Sequence, residues 1–552
     1  MAITIEPQST ITLVKCPLEA DLKNTFTFSS LANQTTYFNG LTKKTIGSNN
    51  YAYVKKDGFV DVDEPIDTLL SYNYMYYTNT GFSNKRFYCF IDKLDYVNEN
   101  TTRIYFHTDV FQTWYFDLTW NRCFVEREHV NDDTFGANTV PENVELGDYV
   151  CNGVSYAFNS ATDCYIALAG SYVPNEIGLN DNNTEYNGIY YGTPIVLFET
   201  PLAVTKYIKI LDTQSKADSI SCIFMCPRSM FIGQTLSFDT YTISGITTNL
   251  SKIPNTTIQS DVYNASFLMK STLNGYAPKN NKLFTYPYNY GILSNNVGQS
   301  AEIHYENFDF SQQGGELRFA FKTLGALTPG CSLRCYPQHY NKLEDDYNST
   351  TGYHTGYSYD YGVSGPKFPI CSWNTDVYTN WLTSQGVNLG VSFASSIASL
   401  GIGAGLALTG AGTGVGIGMM AGGVTGIAAS IASVYSHSLV PPQAEGNTNS
   451  GDVTFSANQM TIPFRFMSIR YEFAKIIDEY FSAYGYKVNR IKVPNITGRS
   501  QWNFIKTIDC NVEGNIPQED LETIRSACNA GITFWHTPAN IYNYSLTNSI
   551  VS

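Results

Sequence analysis

Residues 377–444 contain no Asp, Glu, Lys or Arg. In a chain with a formal net charge of −14, this stretch limits what the rest can be, because an uncharged run of such length must be covered by protein or by lipid. Flexible Gly-rich linkers are padded with Ser and charged residues, whereas here Gly alternates with Ile, Leu, Val, Met and Ala. Two arms can be read, Gly386 to Leu408 and Gly414 to Tyr435, joined by the turn-like run Thr409 to Thr413. As a helix each arm would reach roughly 30 Å at about 1.5 Å per residue, which matches the hydrocarbon thickness of a bilayer.

The side chains expected to meet lipid are Val391, Phe393, Ile397, Leu400, Ile402, Leu406 and Leu408 in the first arm. In the second they are Val415, Ile417, Met419, Met420, Val424, Ile427, Ile431 and Val434. So much Gly, Ser and Thr makes each arm less apolar than a permanent transmembrane helix, and the segment reads as one that can occupy two environments. Small residues four apart (Gly401 and Gly405, Gly410 and Gly414, Gly414 and Gly418, Gly418 and Gly422) suit close helix association. The competing reading is a buried hairpin in which Gly permits tight packing.

At 552 residues the chain has room for two to four domains. Only 15% of it is charged and 41 residues are Tyr, a composition that favours twisted sheets over helices. A pI near 5.0 argues against a surface built to grip phosphate backbones. The opening MAITIEPQST lacks the basic and apolar regions of a secretory signal, so the expectation is a protein made and kept in a cytoplasm. The nearest cysteine pairs, Cys222 with Cys226 and Cys331 with Cys335, have three intervening residues rather than the two of a zinc knuckle. Free, mostly buried thiols are expected, and no metal or cofactor.

Taken in order, Ser9 to Val62 reads as strands and turns, with Asn39-Gly40 and Asp57-Gly58 as turn signals. A hairpin follows, Arg86 to Val97 and Thr102 to Val110, around the turn Asn98 to Asn100. Glu126, Arg127, Glu128 and His129 crowd charges at the end of an apolar strand. That cluster could do acid–base work, but it fits better an ion-pair network at a sheet edge or subunit contact. From Cys151 to Thr375 no helical period is legible. Thr193 to Leu202 and Ser219 to Pro227 read as buried strands, and the Tyr-rich run Tyr353 to Gly362 reads as a surface loop or a carbohydrate-facing patch.

Helical period appears after Pro441 and Pro442. Phe473, Ile476, Ile477, Tyr480, Phe481 and Tyr484 define one helix face that ends at Gly485, and a second helix starts near Pro517 and stops at Gly531 with Leu521 and Ile524 inward. The expected division is residues 1–150 and 455–552 as two parts of one domain, 151–376 as a β-rich domain and 377–454 as the apolar loop. No P-loop, GxGxxG, HExxH or GxSxG occurs, so an enzyme on a standard site is not expected.

Three stretches, Gln112 to Val130, Phe481 to Ile524 and Asn529 to Thr537, resemble the tail knob, or distal tail tube, proteins of small short-tailed bacteriophages of the Picovirinae type, which infect Gram-positive bacteria. The resemblance implies a mainly β fold, in which the terminal parts build a tail-tube-like domain with a few helices and the middle forms a wider lower domain. It also implies a structural, non-enzymatic component of the virion tail tip: a homo-hexameric tube joined to the proximal tail proteins. Its apolar loops would plug the lumen and then open a channel in the host cytoplasmic membrane. Genomic DNA would pass without specific binding. The alternative is a receptor-binding or glycan-cleaving tail protein, which would need two carboxylates about 5 to 9 Å apart in a cleft. A host-made pore-forming toxin is a more distant alternative.

Overall fold

The structure is a computed structural model. It describes residues 9–46, 58–79, 82–159, 163–372 with short gaps, and 461–551. The apolar arms therefore lie outside the described residues. The chain divides into two compact units: Met1–Gly147, Tyr276–Phe284 and Tyr471–Ser552 form the first, and Asp148–Gly275 and Thr285–Arg470 the second. The fold is mainly β, as the Tyr- and Thr-rich, charge-poor composition implies.

Unit 1 is built on two sheets. Six strands lie in the order Lys43–Thr45, Ser9–Val14, Tyr74–Asn79, Arg86–Asn98, Thr101–Thr108, Phe59–Val62. Along Thr101–Thr108 burial alternates, with Thr102, Ile104 and Phe106 inward, the period of two expected of a strand with one covered face. The expected hairpin is present with a tighter turn, because Asn98 already pairs with Thr101. The second sheet runs Asn24–Phe26, Ile532–Trp535, Trp502–Ile508, Cys123–Glu128, Tyr486–Lys492, joining strands from both ends of the chain. Between the sheets, Tyr74, Tyr88 and Phe90 pack with Phe26, Trp502 and Trp535. Each ring fully removed from water contributes about 1.5–3 kcal/mol, so this aromatic layer is a large contributor to the unit's cohesion.

Five α-helices are described, and the first three depart from the sequence reading. Helix α1, Leu31–Gly40, falls where strands and turns were expected. Ser30 caps it, its hydroxyl accepting from the Asn33 amide at 3.2 Å. The segment has no apolar stripe because it buries only Gln34 and Phe38, one turn apart, so the Asn39-Gly40 turn signal is the helix's own end. Helix α2 is the short Val110–Trp114, which takes over Val110 from the expected hairpin through the cap Asp109. Helix α3, Pro201–Thr213, breaks the expectation of a helix-free middle. The strand Ile195–Phe198 ends at Thr200, whose hydroxyl accepts from the Ala203 amide at 3.3 Å, and Pro201 opens the helix. Val204, Tyr207, Ile210 and Leu211 face the unit 2 core, a helical period hidden among β-branched residues.

The two C-terminal helices stand where expected: α4 spans Tyr471–Tyr484 and α5 spans Gln518–Ala530. The buried face of α4 is rotated from the apolar reading. It holds Ala474, Ile477, Asp478 and Phe481, whereas Ile476 is 63% exposed. The rotation has a polar cause. The Asp478 carboxylate accepts from the Tyr276 hydroxyl (2.8 Å) and from the Lys279 and Asn280 amides (2.8 and 3.1 Å). Asn280 Nδ2 donates to it as well, at 2.8 Å. Four donors on one carboxylate outweigh the hydration that Asp478 gives up and bind Tyr276–Phe284 to the helix.

In unit 2, one six-stranded sheet runs Asp239–Ile243, Ile246–Lys252, Ile195–Phe198, Cys164–Gly170, Ile220–Pro227, Ile370–Ser372, and α3 covers one of its faces. A four-stranded sheet runs Tyr149–Asn159, Thr461–Ile469, Asn289–Ser294, Ser300–Ile303. The uncharged segment thus lies in sequence between Ile370–Ser372 of the first sheet and Thr461–Ile469 of the second.

Helix α4 ends at Gly485, which adopts φ +65° while its amide donates to the Phe481 carbonyl at 2.8 Å. A Cβ there would sit 2.1 Å from the Glu128 carbonyl oxygen. Left-handed strain alone costs about 1–2 kcal/mol for a non-Gly residue, and the collision with a rigid strand adds to it. Gly485→Ala is therefore expected to lower unfolding free energy by at least about 2 kcal/mol, read as a lower urea midpoint with an unchanged slope.

Candidate functional site

The charged run at the end of Cys123–Glu128 lies in the interior of the second unit 1 sheet rather than at its edge, flanked by Trp502–Ile508 and Tyr486–Lys492. Its groups are all engaged. Arg127 Nη1 donates to the Gly485 carbonyl at 2.6 Å, Nη2 bonds Glu142, and the guanidinium lies 4.7 Å over the Tyr480 ring. The Glu142 carboxylate, fully buried, also accepts from Lys282 Nζ at 2.6 Å and from the Lys487 amide at 2.8 Å. Burial pulls the Lys282 ammonium below its ordinary range, with Glu142 opposing the shift. Glu128 pairs with Lys492 and accepts from the Asn495 amide at 2.8 Å, and Glu126 pairs with Lys506 at 2.9 Å.

His129 is neutral and structural. Its Nδ1 accepts from the Phe504 amide at 2.8 Å and its Nε2 donates to the Ser482 carbonyl at 3.1 Å, which fixes the tautomer. Burial, helped by the nearby Arg499 and Arg127 charges, pushes its pKa down to about 3. His536, held between the Thr27 hydroxyl (2.7 Å) and Asn503 Oδ1 (2.9 Å), is pushed down to about 4 by burial. The cluster is thus the ion-pair network of the first reading, extended by Glu142, Lys282 and Asn495. No spacing signal pointed to those three: Lys282 and Asn495 come from distant parts of the chain, and Glu142 lies 15 residues on from Arg127 in a stretch without regular structure.

Beside this network a cleft of about 450 Å³ opens onto the same sheet, bordered by Lys23, Glu126, Tyr484, Lys487, Phe504 and Lys506. Among the described residues no group of His, Cys, Asp and Glu is placed to hold a metal ion. Cys16, Cys89, Cys123, Cys151, Cys335, Cys510 and Cys528 are free thiols, and all of these but Cys151 are buried. None of the described helices is long and apolar enough to cross a membrane. All the lipid-facing candidates from Val391 to Val434 lie outside the described residues, as do residues 356–360 of the run Tyr353 to Gly362, whose first three residues form a strand paired with Asp346–Asn348 instead of a loop.

Residues 249–549 match the family described as the C-terminal domain of tail knob protein gp9 of Bacillus phage phi29. The chain belongs to the phage tail knob family. Residues 7–119, which hold the six-stranded sheet and its flanking helices, match the N-terminus of the caudoviral major tail protein. The chain is 26% identical to tail knob protein gp9 of Bacillus phage B103, over 97% of each chain. It is 25% identical to that of Bacillus phage phi29 and 24% to that of Bacillus phage PZA, over 98% of each chain. The structure of the bacteriophage C1 tail knob protein, gp12, aligns with a TM-score of 0.65 and 14% identity, covering 98% of this chain and all of that one, which is a likeness of fold. As a tail knob protein the chain is a structural component of the virion tail, assembled in the host cytoplasm.

The neutral histidines give the tail knob fold a defined acid response. Both have native pKa values below the ordinary 6.5, so the unfolded chain takes up protons first and their contribution, full above pH 6.5, is lost as pH falls toward 4 and then 3. Asp109 acts in the opposite sense. Burial raises it to about 6 although it caps α2 and accepts from the Tyr74 hydroxyl at 2.9 Å, so its contribution is full below pH 3.8 and lost as pH rises through 6. The two histidines outweigh Asp109, while Asp133 and Glu306, whose carboxyls burial also raises, reduce the margin, and unfolding free energy is expected to be lower at pH 5 than at pH 7. Urea titrations at the two pH values check this, and His129→Gln is expected to flatten the difference.

Proposed function

We propose that six copies of this chain close into a tube at the tail tip, through which the genome leaves the virion. The apolar loops of residues 377–454 plug the lumen until infection, then leave it and open a channel in the host cytoplasmic membrane. The observation that carries this reading is the uncharged run 377–444, whose two arms each match a bilayer in length and carry Gly at helix-packing intervals. Gathered in a lumen, six such loops cover surface that would make a lone chain aggregate, and released together they supply enough helices for a bundle. A closed ring also removes sheet edges that would otherwise template aggregation.

The remaining parts of the reading follow from the same chemistry. The tube meets the proximal tail proteins at one end and the host membrane at the other. An acidic conduit repels DNA phosphates, so duplex slides through without being bound. Catalysis has no part in these steps.

The test is Ile417→Asp. Ile417, between Gly416 and Gly418, is the main apolar contribution of its turn in the second arm. A carboxylate at the centre of a membrane helix costs roughly 2.5–3.5 kcal/mol, and every copy in the ring incurs it. In a watery lumen the same group keeps much of its hydration. Ring formation, followed by electron microscopy, is expected to be unchanged, while dye release from liposomes by triggered protein falls severalfold or more. Equal release from both proteins overturns membrane insertion by this segment, and a monodisperse monomer of the wild type overturns the tube.

A further inference from the structure

The cleft in unit 1 differs from the rest of the molecule in charge. Lys23, Lys487 and Lys506 stand around it. Lys506 is neutralised by Glu126 and Lys23 lies 3.1 Å from Asp21, but among the described residues Lys487 has no carboxylate within ion-pair distance. Arg127 and Glu142 also line it, and Glu142 shares its single carboxylate between Arg127 and Lys282 behind the wall. Four cations, Lys23, Arg127, Lys487 and Lys506, thus line the cleft with two carboxylates, Glu126 and Glu142, a local positive excess in a chain of net charge −14. Such an excess inside a concave site favours an anion.

The aromatic lining narrows the choice of anion. Tyr484 and Phe504 lie 5.1 Å apart at 79°, so their rings make a corner and not a parallel slot. A nucleobase fits best between parallel faces, whereas a saturated ring offers C–H bonds in several directions and can rest against both walls of a corner. Tyr484 is 37% exposed, so this wall is reachable from solvent. The corner stays open because Gly531, at φ +106°, carries no side chain; a Cβ there would lie 2.8 Å from the Phe504 ring. Asn24 and Thr533, direct neighbours across adjacent strands, also line the cleft: Asn24 Oδ1 accepts from Trp535 Nε1 at 3.0 Å, which leaves its Nδ2 to donate, the buried Thr533 hydroxyl is bonded to Tyr544, and Glu126 adds a carboxylate that can accept from hydroxyls. The volume of about 450 Å³ is that of a small-molecule site.

We propose that this cleft binds a hexose phosphate: the sugar ring rests in the Tyr484–Phe504 corner, its hydroxyls bond Glu126 and the Asn24 amide, and its phosphate meets Lys487 and Lys506. The same chemistry occurs in a free monoester and in the repeat of a phosphodiester-linked glycan, and two probes separate these sources. Calorimetric titration of the assembled full-length protein with glucose 6-phosphate and with its methyl phosphodiester is expected to give saturable binding of at least one. The tighter of the two identifies the source. Glucose, inorganic phosphate and AMP are expected to bind at least about tenfold more weakly, because each lacks one half of the recognition or brings a flat ring to a corner.

Lys487→Ala is expected to weaken the ester about tenfold or more, the loss that follows removal of a charged hydrogen-bond donor. Tyr484→Leu tests the sugar half: it should weaken the ester and leave the weak affinity for inorganic phosphate unchanged. The backbone amide of Lys487 still bonds Glu142 in the alanine variant, and an unchanged urea midpoint verifies that it folds. No saturable binding of either ester up to about 10 mM, equal binding by wild type and Lys487→Ala, or tighter binding of AMP would each overturn the proposal.

Discussion

A single buried carboxylate ties together the three separate pieces of unit 1. Glu142 belongs to the N-terminal piece, Lys282 to the short Tyr276–Phe284 piece and Lys487 to the C-terminal piece, and the carboxylate accepts from both lysines, one through its ammonium and one through its backbone amide. An ion pair this deep gains little net stability over apolar packing, because desolvation offsets the attraction, but breaking it strands two cations and costs roughly 3–5 kcal/mol. The energetics therefore penalise wrong assemblies more than they reward the right one. For a unit whose pieces are hundreds of residues apart in sequence, that asymmetry specifies which piece goes where.

Asp478 does the same for the neighbouring contact. With four donors it fixes Tyr276–Phe284 against α4 and at the same time sets the rotation of that helix about its axis. Once α4 is so oriented, Phe481 is buried and Tyr484 is left at the mouth of the cleft, over Phe504. His129, bonded to the Phe504 amide and the Ser482 carbonyl, then joins the end of the helix to the sheet through a neutral ring. The wall of the cleft is thus a consequence of polar groups buried for assembly, which is why a positive concave surface exists on an acidic protein.

These polar determinants also mark where sequence reading succeeds and where it stops. Strand-rich character, the 86–108 hairpin, α5 with Leu521 and Ile524 inward, and the Gly485 cap were legible because each is local: alternation, turn residues and apolar spacing lie within a few residues of one another. Helix α1 was not, since its buried face is Gln34 and Phe38, and Gln34 is inward because its amide reaches the Gln112 carbonyl at 2.8 Å. The face of α4 was misjudged by the same kind of effect, an Asp drawn inward by donors some 200 residues away. Of the charged cluster, the run Glu126 to His129 was visible but its partners Glu142, Lys282 and Asn495 were not. Pairing across that distance leaves no periodic trace.

The position of the uncharged segment has its own logic. It leaves from Ile370–Ser372, paired with Ile220–Pro227, and returns at Thr461–Ile469, which is hydrogen-bonded on both sides, to Tyr149–Asn159 and to Asn289–Ser294. On the returning strand Phe464 is fully buried and rings with Phe319 (4.9 Å), Phe466 (5.0 Å) and Phe267 (5.7 Å). Among the described residues these ladders and this aromatic cluster are complete within unit 2. The cost of closing a loop rises only slowly with its length, so two well-paired strands can carry a long insertion between them with little loss of stability. The insertion's sequence is thereby released from the demands of the β fold, and selection on it can act on length, small-residue spacing and the exclusion of charge.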